Sequence, residues 1–299
     1  MIQYVDKTKH IYTMGPNNPP VLNADPGDTI VFTALDTYTD LLVDETCTRE
    51  KDMVNVPINP VNGPVYINGA MPGDTLKIAI LDIDVSAVRK GTMALNANEL
   101  FFFTQFLEGQ KTIKIPMNNG FADFFGNMIK LNPMIGILGI APGEEISTMY
   151  PGVHGGNMDC KYLTKGTSLY LPVQIPGALL ATADIHALQG DGEIVCGLEV
   201  PGIITLRVDL IKTKAESWPV LETDGRWYVI VSEDTIEKSC KQAVNTMVRF
   251  VMNRQSRYTV EQLIAMMAIY GDLEFCQVVD PLVTIRFGLD KSIITDLVF

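Results

Sequence analysis

Pro26-Gly-Asp-Thr-Ile-Val-Phe-Thr-Ala-Leu-Asp36 can be laid over Pro72-Gly-Asp-Thr-Leu-Lys-Ile-Ala-Ile-Leu-Asp82 without a gap. Proline presets φ and glycine supplies a positive φ, which is the chemistry of a type II turn. A strand-forming run follows each turn, so each copy reads as a turn opening into a strand. The same punctuation continues along the chain. Asn59 to Ala70 supplies another turn and short strand, and further strands are expected at 111–116, 168–175, 194–200 and 203–213. In the last of these Ile204, Leu206, Val208 and Leu210 alternate with Thr205, Arg207 and Asp209. Many short strands separated by Pro/Gly turns argue for a sandwich or a barrel.

The pattern changes after about residue 232. Asp234-Thr-Ile-Glu237 has capping-box spacing, and Ile236, Cys240, Ala243, Met247 and Val251 then recur at helical intervals up to Asn253. Thr259-Val-Glu-Gln262 repeats the capping pattern ahead of Leu263, Met266, Met267 and Tyr270, with Gly271 placed to end the helix. Strands are expected again at 273–279 and 282–287. Together these patterns predict a mainly β chain: a sandwich- or barrel-like body over 1–215 that carries the site, then a smaller α+β portion over 216–299 with two helices. Leu100 to Leu107, with Phe101, Phe102, Phe103 and Phe106, reads as a buried strand or helix segment.

Thirty-five acidic against 23 basic residues give a net charge of −12, and no Lys/Arg run is present that could track a phosphate backbone. Nucleic acid and anionic membranes are therefore poor partners. Cys47, Cys160, Cys196, Cys240 and Cys276 are odd in number and contain no Cys-x-x-Cys pair, which fits neither a disulfide framework nor a thiolate zinc knot. Reduced thiols in a cytoplasm are the expectation. No apolar stretch approaches the roughly 20 residues of a membrane span, and neither export nor a bilayer anchor is indicated.

Two of the three histidines fall in one 40-residue stretch, in His154-Gly-Gly-Asn-Met-Asp159 and Asp184-Ile-His186-Ala-Leu-Gln-Gly-Asp-Gly-Glu193. Consecutive glycines let the backbone approach a ligand closely, so His154, Asn157 and Asp159 can converge. Asp184 and His186 are two apart and project from one face of an extended chain, a spacing suited to two ligands of one ion. Gln189, Asp191 and Glu193 add oxygen-bearing side chains on a glycine-rich turn. Imidazole with carboxylates suits zinc, whereas oxygen ligands alone would suit calcium, for which Asp191 is the candidate as a second cation site. Taken singly, a histidine is more often a hydrogen-bonded structural residue and an aspartate in a glycine turn more often a turn former. Their recurrence on loops within so short a stretch has no evident packing purpose.

These segments, with Leu169-Tyr-Leu-Pro-Val173 and Pro176-Gly-Ala-Leu-Leu180 between them, resemble the acetamidase/formamidase family. Pro26-Gly-Asp28, Asn62-Gly-Pro64, Gly69 to Asp74 and the helix beginning near Asp234 are also similar to it, so the resemblance spans nearly the whole chain. It implies hydrolysis of short aliphatic amides to ammonia and a carboxylate, on a mainly β fold with an α/β portion, often as a homo-oligomer. Ala183 departs from the pattern, standing where the family tends to have glycine before the Asp-x-His aspartate.

An amide carbonyl is a weak electrophile and neutral water a weak nucleophile, and a divalent metal addresses both. Asp159, Asp184 and His186 are the expected ligands, with His154 as a further one. Glu193 is the expected general base and acid. Asn157 is placed to hydrogen-bond the amide, while Asp36 and Gln189 are candidates for contacting substrate. Two alternatives stay open: an amidase with Cys160 as nucleophile, although Lys161 beside it points away, and a metal-stabilised β protein that binds a small ligand without converting it. No Gly-x-Ser-x-Gly elbow accompanies Ser147 or Ser168, and no Gly-x-Gly-x-x-Gly or P-loop pattern is present.

Overall fold

The structure, a computed structural model, describes residues 1–96, 105–213, 216–255, 257–295 and 297. Both copies of the repeated turn carry glycine at φ +96°, Gly27 and Gly73, and open into strands Thr29–Ala34 and Thr75–Asp84. Strand Gly202–Ile211 runs antiparallel between them, so the internal repeat forms two flanks of one three-stranded unit. Along Thr29–Ala34 every second residue is buried, Ile30, Phe32 and Ala34, as a strand with one face on a core requires.

That unit belongs to a nine-stranded sheet that continues through Ser168–Pro172, Val220–Glu222, Arg226–Glu233, Val283–Asp290 and Gly271–Gln277. The strands after residue 216 thus extend the sheet of the β body. A second, twelve-stranded sheet is centred on Leu180–His186, whose seven residues are all buried. Ile30, Phe32, Ile78, Ile80 and Leu206 from the first sheet share one apolar core with Val65, Ile67, Ile135, Ile137, Leu180 and Ile185 from the second. The chain is mainly β and its two large sheets pack as a sandwich.

Both expected helices form. The first runs Ile236–Met252 and caps at Thr235, one residue later than the expected Asp234. The Thr235 hydroxyl accepts from the Lys238 amide, while Asp234 pairs instead with the Lys238 ammonium at 2.7 Å. Ile236 proves half exposed because it opens the helix at the surface, and Ala243, Met247, Phe250 and Val251 form the face that packs on Trp227, Val229, Val231, Ile285 and Leu289. The second helix, Val260–Tyr270, has the full Thr259/Gln262 capping box. Gly271 ends it at φ −89°, so no left-handed cap is involved; a Cβ there would lie 2.2 Å from the Phe287 ring. Of the strand expected at 194–200 only Glu199–Val200 pairs. Residues 100–104 of the aromatic stretch lie outside the described residues, and Phe106 beyond them is 77% exposed in a turn, so burial does not extend that far.

Arg286, on strand Val283–Asp290, is a guanidinium with no exposed surface. It donates to Glu274 at 2.7 Å, to the Phe275 carbonyl at 2.9 Å and to Asp191 at 2.7 Å, and stacks 4.4 Å from the Tyr162 ring centroid. It ties the last two strands to the glycine-rich turn of residues 190–193. Breaking a buried pair costs about 3–5 kcal/mol, and both carboxylates here reach solvent and can rehydrate. Arg286→Met is expected to lower stability by about 3 kcal/mol in urea titration; a loss below about 1 kcal/mol would show that this cation is not what fastens the turn.

Candidate active site

Strand Leu180–His186 pairs along one edge with Met134–Gly139. Its other edge is shared: Val61–Ile67 takes Leu180 and Thr182, and Glu199–Val200 takes Ile185 and His186. Asp184 falls in the gap with φ +60°, a left-handed residue inside a strand. Asp159 and Glu193 are also left-handed, at φ +44° and +36°. Such conformations each cost on the order of 1 kcal/mol or more and persist where surrounding structure over-determines them, most often at functional sites. Gly136, opposite the gap, leaves room for two carboxylates: a Cβ there would sit 2.2 Å from Asp184 Oδ2 and 2.5 Å from Asp159 Oδ1. Gly197 does the same for the His186 ring, 2.2 Å from its Cγ.

The result is one buried imidazole among carboxylates. His186 Nε2 lies 3.1 Å from Glu199 Oε2, 3.4 Å from Asp184 Oδ1 and 3.9 Å from Asp159 Oδ1. Two sets of donor atoms, Asp159/His186/Glu193 and Asp184/His186/Glu199, lie close enough together to hold a metal ion. Asp159 Oδ1, Asp184 Oδ1, Glu193 Oε2 and Glu199 Oε2 are buried acceptors without a hydrogen-bond partner among the described residues. Asp280 joins from the turn between the last two strands, where its carboxylate accepts from Asn157 Nδ2 at 2.8 Å. Gln277 shapes that turn by accepting from the Val279 and Asp280 amides.

The tautomer of His186 follows from its neighbour. Gln189 Nε2 donates to the carbonyls of Asp159 at 2.6 Å and Cys276 at 3.3 Å, which leaves its Oε1 facing His186 Nδ1 at 2.7 Å. Nδ1 therefore carries a proton, and Nε2 is the atom presented to the carboxylates. In a neutral ring that atom would aim a lone pair at three acceptor oxygens. A positive centre is needed there, either a proton or a metal ion.

Burial and mutual repulsion act on the titrations accordingly. Burial, then the charge of Asp184, pushes Asp159 up to about 6. Burial and Asp159 hold Glu193 well above the usual carboxylate range, and the same two causes hold Asp280 there. Burial raises Glu199 to about 8 against the pull of His186. Burial draws His186 down, but Glu199 and Asp184 override it and its pKa ends well above that of free histidine.

The cluster lines a cavity of about 130 Å³ together with Asn157, Asp280 and a wall that includes Tyr38, Ile58, Met149, Val195 and Cys196. At about 30 Å³ per water in the liquid, the space suits a molecule of a few heavy atoms. Of the residues expected at the site, Asp159, Asp184, His186, Glu193 and Asn157 meet here. Gln189 stands behind His186 and outside the cavity lining. Asp36 is also absent from the lining. Its carboxylate accepts from the Tyr38 and Asp40 amides, so it shapes the loop whose Thr37 and Tyr38 reach the cavity. Asp191, considered for calcium, is paired with Arg286 and with Lys161 at 2.6 Å and belongs to neither donor set. Cys160 has no exposed surface, packs in the apolar core and is not in the cavity lining, while Lys161 is paired elsewhere, so the thiol nucleophile loses its geometry. All five cysteines are free.

Glu199 and Asp280 were not among the residues expected from sequence. Glu199 stood out only as an acid in the apolar run Val195 to Val200, and Asp280 had no local signal. His154 is buried on the turn between Pro151–Gly152 and Gly155–Asn157, outside both donor sets. Its Nε2 is without a partner among the described residues, and burial lowers its pKa to about 4. The unfolded chain thus takes up a proton at His154 that the folded chain does not, and stability contributed by this residue is present above pH 6.5 and lost as pH falls toward 4. Unfolding free energies measured across that range should fall more steeply for wild type than for His154→Gln, by about 3 kcal/mol at most. Parallel pH profiles would mean that this imidazole is not buried in neutral form.

A profile of the Acetamidase/Formamidase family matches residues 5–150 and 144–224. A formamidase of Methylophilus methylotrophus is 26% identical over 294 residues, covering 76% of this chain and 72% of that protein. The crystal structure of an acetamidase from Bacillus halodurans aligns with a TM-score of 0.93 at 35% identity, over 99% of this chain and 100% of the other. An acetamidase from Yersinia enterocolitica aligns with a TM-score of 0.89 at 27% identity, over 98% and 93% of the two chains. The family profile covers well over half of the sequence and the fold matches from end to end: the chain belongs to the acetamidase/formamidase family.

Proposed function

We propose that this protein is a metal-dependent amidohydrolase that cleaves the C–N bond of short aliphatic amides, formamide and acetamide in the first place. The observation that carries the metal is the set of buried carboxylate oxygens facing His186 Nε2 without a donor. Asp159, Asp184, His186 and Glu199 would hold the ion. One imidazole with several carboxylates is a donor set for zinc. Bound there, a divalent ion would polarise an amide carbonyl and acidify water.

The chain's own groups supply the proton transfers and the positioning. Glu193 accepts a proton from the attacking water as its oxygen bonds to the carbonyl carbon. It then delivers that proton to the nitrogen as the C–N bond breaks, leaving a carboxylic acid and ammonia. A carboxylate held well above its usual range by burial and Asp159 suits a group that must both take and give a proton near neutrality. Asn157 keeps Asp280 on its Nδ2, and its Oδ1, which has no partner among the described residues, can accept from the amide N–H2. The Tyr38, Ile58 and Met149 wall meets the acyl side and, in a cavity of about 130 Å³, limits it to a short chain.

Ammonia release from formamide and acetamide, with elemental analysis of the same preparation, tests this directly. Activity should vanish on chelation and return with zinc, and Glu193→Gln should retain metal while kcat falls by about 10²- to 10⁴-fold. Metal in the protein with no ammonia from any small amide would favour a non-catalytic binding protein instead.

A further inference from the structure

Gln189 touches three separately encoded pieces of the site with one amide. Its Oε1 accepts from His186 at the end of the central strand, and its Nε2 donates to the carbonyl of Asp159 and to that of Cys276, four residues before Asp280. Neither backbone contact can be made by the oxygen, so the two carbonyls decide which way the amide is turned. That orientation decides which imidazole nitrogen is free. Turned the other way, the NH2 would face Nδ1 as a donor, the proton would move to Nε2, and Nε2 could not bind a cation.

We infer that Gln189 is a positioning residue that commits His186 to binding a divalent cation through Nε2, by holding the proton on Nδ1. The inference rests on the metal-dependent reading above and adds to it the part that sets affinity. It also moves Gln189 from a candidate substrate contact to a support behind the ligands. Partners of this kind raise the basicity of the ligating nitrogen and fix its ring, and losing one costs about 10- to 100-fold in metal affinity.

The test is zinc affinity, measured by competition with a chromophoric chelator on the metal-depleted full-length protein, with folding followed by circular dichroism. Gln189→Met keeps the volume and removes the acceptor, and should bind zinc about 10- to 100-fold more weakly than wild type. Gln189→Glu restores an acceptor for the Nδ1 proton while giving up the donations to the Asp159 and Cys276 carbonyls, so it should bind zinc more tightly than Gln189→Met though short of wild type, a partial rescue that a merely space-filling residue would not produce. Gln189→Met binding as tightly as wild type, or Gln189→Glu binding no tighter than Gln189→Met, would overturn the inference. Should Gln189→Met not fold, the ring-nitrogen chemical shifts of His186 in the zinc-loaded wild-type protein decide: a proton on Nδ1 is expected, and an Nδ1 without one would overturn the inference. A wild-type protein that binds no zinc would remove the metal reading itself, and the inference with it.

Discussion

Placing several carboxylates around one imidazole, withdrawn from bulk solvent, is the constraint on which the rest of this structure depends. An isolated buried charge is expensive enough that a group neutralises itself rather than bear it. Here Asp159, Asp184, Glu193 and Glu199 are buried and, with the half-buried Asp280, share a single histidine. Such a grouping persists only because rigid elements on several sides hold it together. The shared edge of strand Leu180–His186 provides the gap, Gly136 and Gly197 provide the room, and left-handed backbone at Asp159, Asp184 and Glu193 provides the aim.

The portion after residue 216 takes part in this. Arg286 holds the turn that leads to Glu193 and the Asp280 turn lines the cavity, both from strands that prolong the nine-stranded sheet, so the helices Ile236–Met252 and Val260–Tyr270 support a surface that borders the site. The site lies where the two stretches of chain meet, and its integrity depends on the packing of both.

How much of this was legible in the sequence follows from the range of the interactions. The repeated Pro-Gly-Asp-Thr turn and the Thr259/Gln262 capping box are settled within a few residues, and the structure has them as read. The cluster around Asp184 and His186 was legible because the two stand two apart on one strand. Glu199 was not, because it reaches His186 through cross-strand register. Asp280 was not, because nothing near it in sequence announces a partner 123 residues away at Asn157. The pairing of Asp191 with Arg286 was not legible for the same reason, since that cation stands 95 residues further on. Cys160 was hard to judge from the opposite cause, since its neighbour Asp159 belongs to the site while the thiol itself packs in the core.

The left-handed conformation of Asp159 and Asp184 has a bearing on how such a protein can diverge. Apart from glycine, asparagine and aspartate are the side chains that tolerate this region of backbone most readily. Asparagine there would keep the turn and the volume while discharging two of the acids, thereby relieving a buried repulsion. On the proposed metal-dependent reading, descendants that have abandoned catalysis are therefore within a few nucleotide changes and lose little architecture on the way. Among homologues, an intact scaffold with amides at these two places would mark retired enzymes, and sequence likeness alone would not reveal the difference.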